Sequence, residues 1–196
     1  MDERTTRSEL LERAVATGAG FAAGGVVIAA LPDLAGSEPS PKQDADILNF
    51  ALLLEYVQAG FYADALKRGS LKGERREFAR TVGAHERAHA KFLRTALGDK
   101  ARKPPKLDFG DDTTSPDRFT ESALKLEDLA VAAYNAAAPS LTKPALAAAA
   151  KIVSVEARHA AWIRAVAGVT PAPFASEPQL TVKRVTRTLS GSGYVK

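Results

Sequence analysis

From residue 44 onward, apolar side chains return every three to four positions, the period of a helix with one buried face. Over 44–67, Leu48, Ala51, Leu52, Ala59, Tyr62 and Leu66 lie on one stripe, and Glu55 lies on the same stripe. Gly69 is the expected stop. A second helix is expected over 74–97, where Phe78, Val82, Leu93 and Ala96 share a stripe with Glu86 and His89, and Gly98 ends it. A polar, proline-containing connection fills 98–114. Ser115-Pro116 then supplies the cap and first turn of a third helix, which Pro139 terminates. The fourth starts near 142–144, carries Ala149, Ile152, Glu156, His159, Ile163 and Val166 inward, and stops at Gly168. Each helix spans about 24 residues, or about 36 Å at the α-helical rise. Short links favour antiparallel neighbours, so the expected fold is an all-α four-helix bundle over 44–168 with one long crossover between helices 2 and 3. Residues 169–196 are expected as an irregular tail packing on or near it.

Ahead of the bundle, 14–31 contains 18 residues without a charge, rich in Ala and Gly. A helix of that length spans about 27 Å, at the lower edge of what crosses a bilayer. The flank before it mixes acidic and basic residues, unlike the basic start of a secretory signal. Thr6-Arg7-Ser8-Glu9-Leu10-Leu11 resembles a degraded twin-arginine export signal that keeps one arginine. The expectation is export to the periplasm or attachment to a membrane through 14–31, with a cytoplasmic location and a partner-packing helix as the alternative. Gly20 and Gly24 form a weak helix-pairing face. Residues 32–43, with three prolines, are expected as a linker.

The composition, 45% hydrophobic and 26% charged, is that of an ordinary globular chain, and scarce β-branched runs favour helices. The net charge of +4 is spread over scattered basic residues with no nucleic-acid-binding motif, so a solvated surface explains it better than a nucleic-acid partner. Cysteine is absent, which excludes disulfides, thiolate ligands and thiol catalysis.

The two halves of the bundle repeat each other. Leu54-Glu55 with Tyr62 seven positions after the glutamate corresponds to Leu126-Glu127 with Tyr134 seven positions on. Glu86-Arg87-Ala88-His89-Ala90 corresponds to Glu156-Ala157-Arg158-His159-Ala160, and Arg94 to Arg164. The first glutamate precedes Glu-x-x-His by 31 residues in one half and 29 in the other, the mark of a duplicated helical hairpin.

A glutamate on a helix is ordinarily a solvated surface residue, and a lone Glu-x-x-His means little. Here all four glutamates fall mid-helix on the apolar stripe. Residues three apart share a helix face, so Glu86 with His89 and Glu156 with His159 can each reach one centre. Each buried, uncompensated ion costs at least about several kcal/mol. Two divalent cations balance four carboxylates, and two neutral imidazoles complete the shells. Oxygen and imidazole donors without sulfur suit iron, manganese or zinc. Glu55, Glu86, His89, Glu127, Glu156 and His159 are therefore the candidate metal ligands of a two-metal bundle site.

At Leu54-Glu55-Tyr56, Ala84-His85-Glu86-Arg87-Ala88-His89, Leu126-Glu127-Asp128-Leu129 and Val155-Glu156-Ala157-Arg158-His159 the chain resembles the ferritin-like superfamily. More narrowly, it resembles the bacterial ferritin-like domain group that includes the desiccation-related proteins. The resemblance runs over about 44–190 and implies a ferritin-like bundle with all six ligands present. Glu55 and Glu127 would be terminal or bridging carboxylates, Glu86 and Glu156 the Glu-x-x-His carboxylates, and His89 and His159 the nitrogen ligands. It implies fold and metal more firmly than reaction.

Tyr62 and Tyr134, two turns from Glu55 and Glu127, are candidates for hydrogen-bonding the ligands or for radical chemistry, with core packing as the plainer reading. His85, about 100° round the helix from Glu86, is expected not to be a ligand. Trp162 and Phe92 are expected in the core, and Asp128 at the surface or behind the ligands. The expected cofactor is two iron ions, or two manganese ions. The expected activity is oxidation of ferrous iron or consumption of O2 or peroxide, including dismutation by manganese. The alternative is a stress or desiccation protein whose metal is structural. Expected partners are metal ions and O2 or peroxide, with a homodimer left open and no nucleic acid.

Overall fold

The computed structural model describes residues 38–177 and 180–196. The apolar stretch 14–31, the Gly20/Gly24 face and residues 32–37 of the expected linker lie outside the described residues. Among the described residues, five α-helices form in chain order: α1 (Pro41–Arg68), α2 (Gly73–Leu97), α3 (Pro116–Ala137), α4 (Lys143–Val166) and α5 (Val182–Ser192). Helix α1 packs along α2 and α3 along α4, and the two hairpins meet through α1 with α3 and α2 with α4. Residues 98–115 make the crossover, apart from one 3-10 turn at Gly98–Lys100. Among the described residues no helix is long and apolar enough to cross a membrane.

Local chemistry sets the helix ends. Helix α1 begins three residues earlier than expected, because Ser40 accepts from the Gln43 amide at 3.3 Å and Pro41 fits the first turn. Residues 41–43 are thus helix rather than linker. Gly69, at φ 76°, reverses the chain where a side chain would be strained. Ser115 caps α3 by accepting from the Arg118 amide at 3.4 Å. The start of α4 is capped from another helix: Asp44 of α1 accepts from the Thr142 amide at 2.9 Å and from its hydroxyl at 2.6 Å. That contact ties the first hairpin to the second.

The expected irregular tail contains α5. Thr181 caps it, and Val185 and Leu189, four apart, bury their side chains in the bundle core beside α3. Beyond it, Tyr194 donates to Asp112 at 2.5 Å, Leu107 and Val195 form a β-bridge, and the Lys196 amide bonds the Lys106 carbonyl at 3.0 Å. At its other end the crossover is held by Asn49, whose amide donates to the Lys100 carbonyl at 3.0 Å and whose carbonyl accepts from the Arg102 amide at 2.8 Å. The long connection is therefore pinned at both ends.

Two differently built cores lie toward the two ends of the bundle. One is aromatic: Phe61, Tyr62, Phe78 and Phe119 are fully buried, with ring centroids 5.4–6.4 Å apart among their contacting pairs. The other is aliphatic, built from Ile47, Leu48, Leu52, Leu93, Ala149 and Ile152. Helices α1 and α2 approach closely at Gly83, where an added Cβ would stand 2.9 Å from the Tyr62 Cβ. That approach seats Tyr62 against the bundle axis. Along the helices, the four glutamates fall between these two sets of side chains.

Candidate metal centre

Each of the four long helices sends one glutamate inward at mid-length, and Glu55, Glu86, Glu127 and Glu156 are all fully buried. The apolar stripe that drives each helix into the core carries its glutamate along. His159 is buried, while His89 keeps a partly exposed edge. All six residues expected from the sequence converge. The Nδ1 atom of His89 lies 3.3 Å from Glu55, 3.1 Å from Glu86 and 2.9 Å from Glu156. The Nδ1 atom of His159 lies 3.0 Å from Glu86, 3.4 Å from Glu127 and 3.7 Å from Glu156.

These contacts resolve into two overlapping groups that could each hold a metal ion. Glu55, Glu86, His89 and Glu156 form one, and Glu86, Glu127, Glu156 and His159 the other, with the donor atoms of each group within 4.8 Å of one another. Glu86 and Glu156 belong to both. Glu86 turns Oε2 toward His89 and Oε1 toward His159, whereas Glu156 turns Oε1 toward His89 and Oε2 toward His159.

The donor set fits a cation. Glu55 Oε2, Glu86 Oε1, Glu127 Oε2, both Glu156 oxygens and His159 Nδ1 are buried, and beyond their close approaches to one another and to His89 they have no hydrogen-bond partner. Buried polar atoms are nearly always satisfied, and so many whose only polar neighbours are one another call for a ligand. Oxygen and imidazole donors suit iron or manganese.

Protons hold the cluster together in the absence of cations. Burial, reinforced by Glu86 and Glu156, raises Glu55 well above its ordinary range despite a hydrogen bond from His89. Burial likewise raises Glu127 to about 8, against a lowering contribution from His159. Burial also acts on Glu86, but hydrogen bonds from His159, His89 and Glu55 outweigh it and hold Glu86 at about 2. For the histidines burial is again opposed: carboxylate contacts lift His89 to about 12 and His159 to about 11. The contacts thus favour the anionic form of Glu86, the cationic forms of His89 and His159, and the protonated forms of Glu55 and Glu127.

Around this centre the tyrosines cross between hairpins. Both were candidates for hydrogen-bonding the ligands, and both do so across the bundle: Tyr62 of α1 makes a very short hydrogen bond to Glu127 of α3, and Tyr134 of α3 donates to Glu55 of α1 at 2.5 Å. A tyrosine seven positions from a glutamate lies two turns along its own helix, so only a residue on the facing helix is level with it. Burial, with the adjacent carboxylate, raises both phenols well above their ordinary range, so both remain donors. Gln58 adds a second donor to Glu127 at 3.0 Å.

Other expectations change. His85 does turn away from the stripe of α2, but that rotation carries it to α4, where its Nδ1 lies 2.9 Å from His159 Nε2. Phe92 is 38% exposed rather than core. Trp162 is partly buried, edge-on to Phe78 at 5.2 Å, with its indole N–H on Glu74 at 3.0 Å. Asp128, expected at the surface or behind the ligands, is half-buried and pairs with Arg164 at 2.6 Å.

A four-helix bundle with a carboxylate–imidazole cluster at its axis is the class of helical bundle whose core can hold metal ions. Compared with known protein families, residues 43–169 match the ferritin-like domain, and the chain belongs to that family. The comparison with curated proteins returns no match.

Proposed function

We propose that the chain is a two-metal carboxylate protein that oxidises ferrous iron or consumes O2 or peroxide. The observation that carries this reading is the sharing of Glu86 and Glu156 between two donor groups that each also own one glutamate and one histidine. In this reading Glu55 and His89 would hold one ion and Glu127 and His159 the other, Glu86 and Glu156 would serve both, and Nδ1 is the histidine atom turned toward the carboxylates. Iron, or alternatively manganese, would supply the electrons exchanged with the oxidant. The protein's part is to orient the ligands, to exclude bulk water and to hold protons at the phenolic oxygens of Tyr62 and Tyr134 beside Glu127 and Glu55. The partly exposed edge of His89 is the side nearest solvent.

Metal analysis of the chain purified anaerobically should give two ions per chain. Stopped-flow addition of O2 or peroxide should then change the absorbance with turnover. Bound metal that ignores both oxidants would favour the structural role in a stress or desiccation protein. Export through 14–31 belongs to the proposal on the strength of that apolar stretch alone, and fractionation of cells expressing the full chain tests it.

A further inference from the structure

One contact lies outside the six-residue cluster and joins it to the surface. His85 is exposed, one residue before Glu86 on α2, yet its Nδ1 sits 2.9 Å from Nε2 of the buried His159. The two ring planes are inclined by only 16°, with centroids 5.1 Å apart. The centroid separation exceeds the N···N distance by about the two ring radii, so the rings lie edge to edge in one plane rather than face to face. That is the geometry of a directional N–H···N hydrogen bond. A neutral imidazole offers one donor and one acceptor nitrogen, so a partner at one nitrogen fixes what the other can do.

His159 turns Nδ1 toward Glu86, Glu127 and Glu156. For that nitrogen to offer a lone pair to a cation, Nε2 must carry the proton and find an acceptor. We infer that His85 is a positioning residue for the Glu127/His159 half of the centre, accepting the Nε2–H of His159 and thereby holding its Nδ1 lone pair and ring plane toward the carboxylates. The other half has no such device. Val155 occupies the matching position one residue before Glu156, and among the described residues no side chain partners His89 at Nε2. The asymmetry predicts that His85 acts on one ion and not on the other.

The inference rests on the two-metal reading, and cobalt(II) alone, followed by its visible absorption bands and by titration calorimetry on the full chain, tests both. The wild type should take two ions. His85→Leu, which removes the acceptor, should weaken one binding step by about 10–100-fold and leave the other unchanged. His85→Asn should restore it, since the amide oxygen sits nearly where Nδ1 does and accepts the same proton. In a Glu127→Ala background, where the affected half is already lost, His85→Leu should have no further effect. An unchanged His85→Leu titration, equal weakening of both steps, or an Asn variant no better than Leu would overturn the assignment while leaving the metal reading intact. A wild type that takes up no cobalt would overturn both.

Discussion

The two halves of the centre began as the same sequence pattern and are not partnered alike. In one, His89 has 12% of its side chain exposed and Glu55 has a single phenolic donor, Tyr134. In the other, His159 has 4% exposed and sits against His85, and Glu127 takes hydrogen bonds from both Tyr62 and Gln58. The six inner residues and the two tyrosines repeat, whereas Gln58 and His85 do not: Ala130 stands where the repeat would put a second Gln58, and Val155 where it would put a second His85. Charge balance constrains the six inner residues jointly, because losing one leaves the others buried and uncompensated. Their outer partners tune each half separately. The Glu127/His159 half is the more constrained, and the Glu55/His89 half the more accessible.

The largest perturbation should erase the comparison. Replacing Glu86 and Glu156 together by alanine removes the carboxylates common to both halves, and metal analysis should find no two-ion binding. Two ions per chain in that variant would disprove the ligand assignment. Single replacements should separate the halves, with Glu55→Ala and Glu127→Ala each retaining one ion. Next in size, Tyr134→Phe should weaken metal binding by about 10–100-fold, the usual cost of a lost outer partner. Tyr62→Phe should cost less, because Gln58 still holds Glu127. Equal losses in the two titrations would show that Gln58 contributes nothing.

The pH dependence treats both halves together. Glu127 raised to about 8, His159 to about 11 and His89 to about 12 bind more protons folded than unfolded. Their stabilising contribution to the metal-free chain is full below the unfolded values, near 4.5 for glutamate and 6.5 for histidine, and is lost as pH rises through the folded ones. Glu86, lowered to about 2, acts oppositely, losing its contribution only as pH falls through that value. The melting temperature of the metal-free chain should therefore fall between pH 6.5 and 9. Metal displaces those protons, so affinity should rise over the same interval. At about a hundredfold excess over its Kd, each ion should add about 2.7 kcal/mol to stability. Smallest of all, Ser40→Ala should destabilise α1 by about 1 kcal/mol in denaturant titration without changing ion stoichiometry.

The six inner residues were legible in the sequence because burial and charge cannot coexist silently: four carboxylates on apolar stripes demand a counter-charge wherever the helices meet. Helix α5 was not, although Val185 and Leu189 carry the right spacing, because the prolines ahead of it favoured an irregular reading and only two buried positions define its face. The early start of α1 was legible and missed, since Ser40-Pro41 is the same signal as Ser115-Pro116. His85 and the crossed tyrosines were beyond periodicity. A helical wheel says which way a side chain leaves its own axis, not which neighbour stands there or at what height. Phe92 shows the converse: a repeat position matched to Trp162 need not face the same environment once the outer surfaces diverge.

The exchange of tyrosines between hairpins bears on ancestry. A lone hairpin of this kind would own a glutamate whose phenolic partner sits on someone else's helix, so it would be finished only by pairing with its own twin. Joining two such twins into one polypeptide adds a tether and no new chemistry. Once joined, each twin is free to acquire what symmetry had forbidden, a change on one side alone.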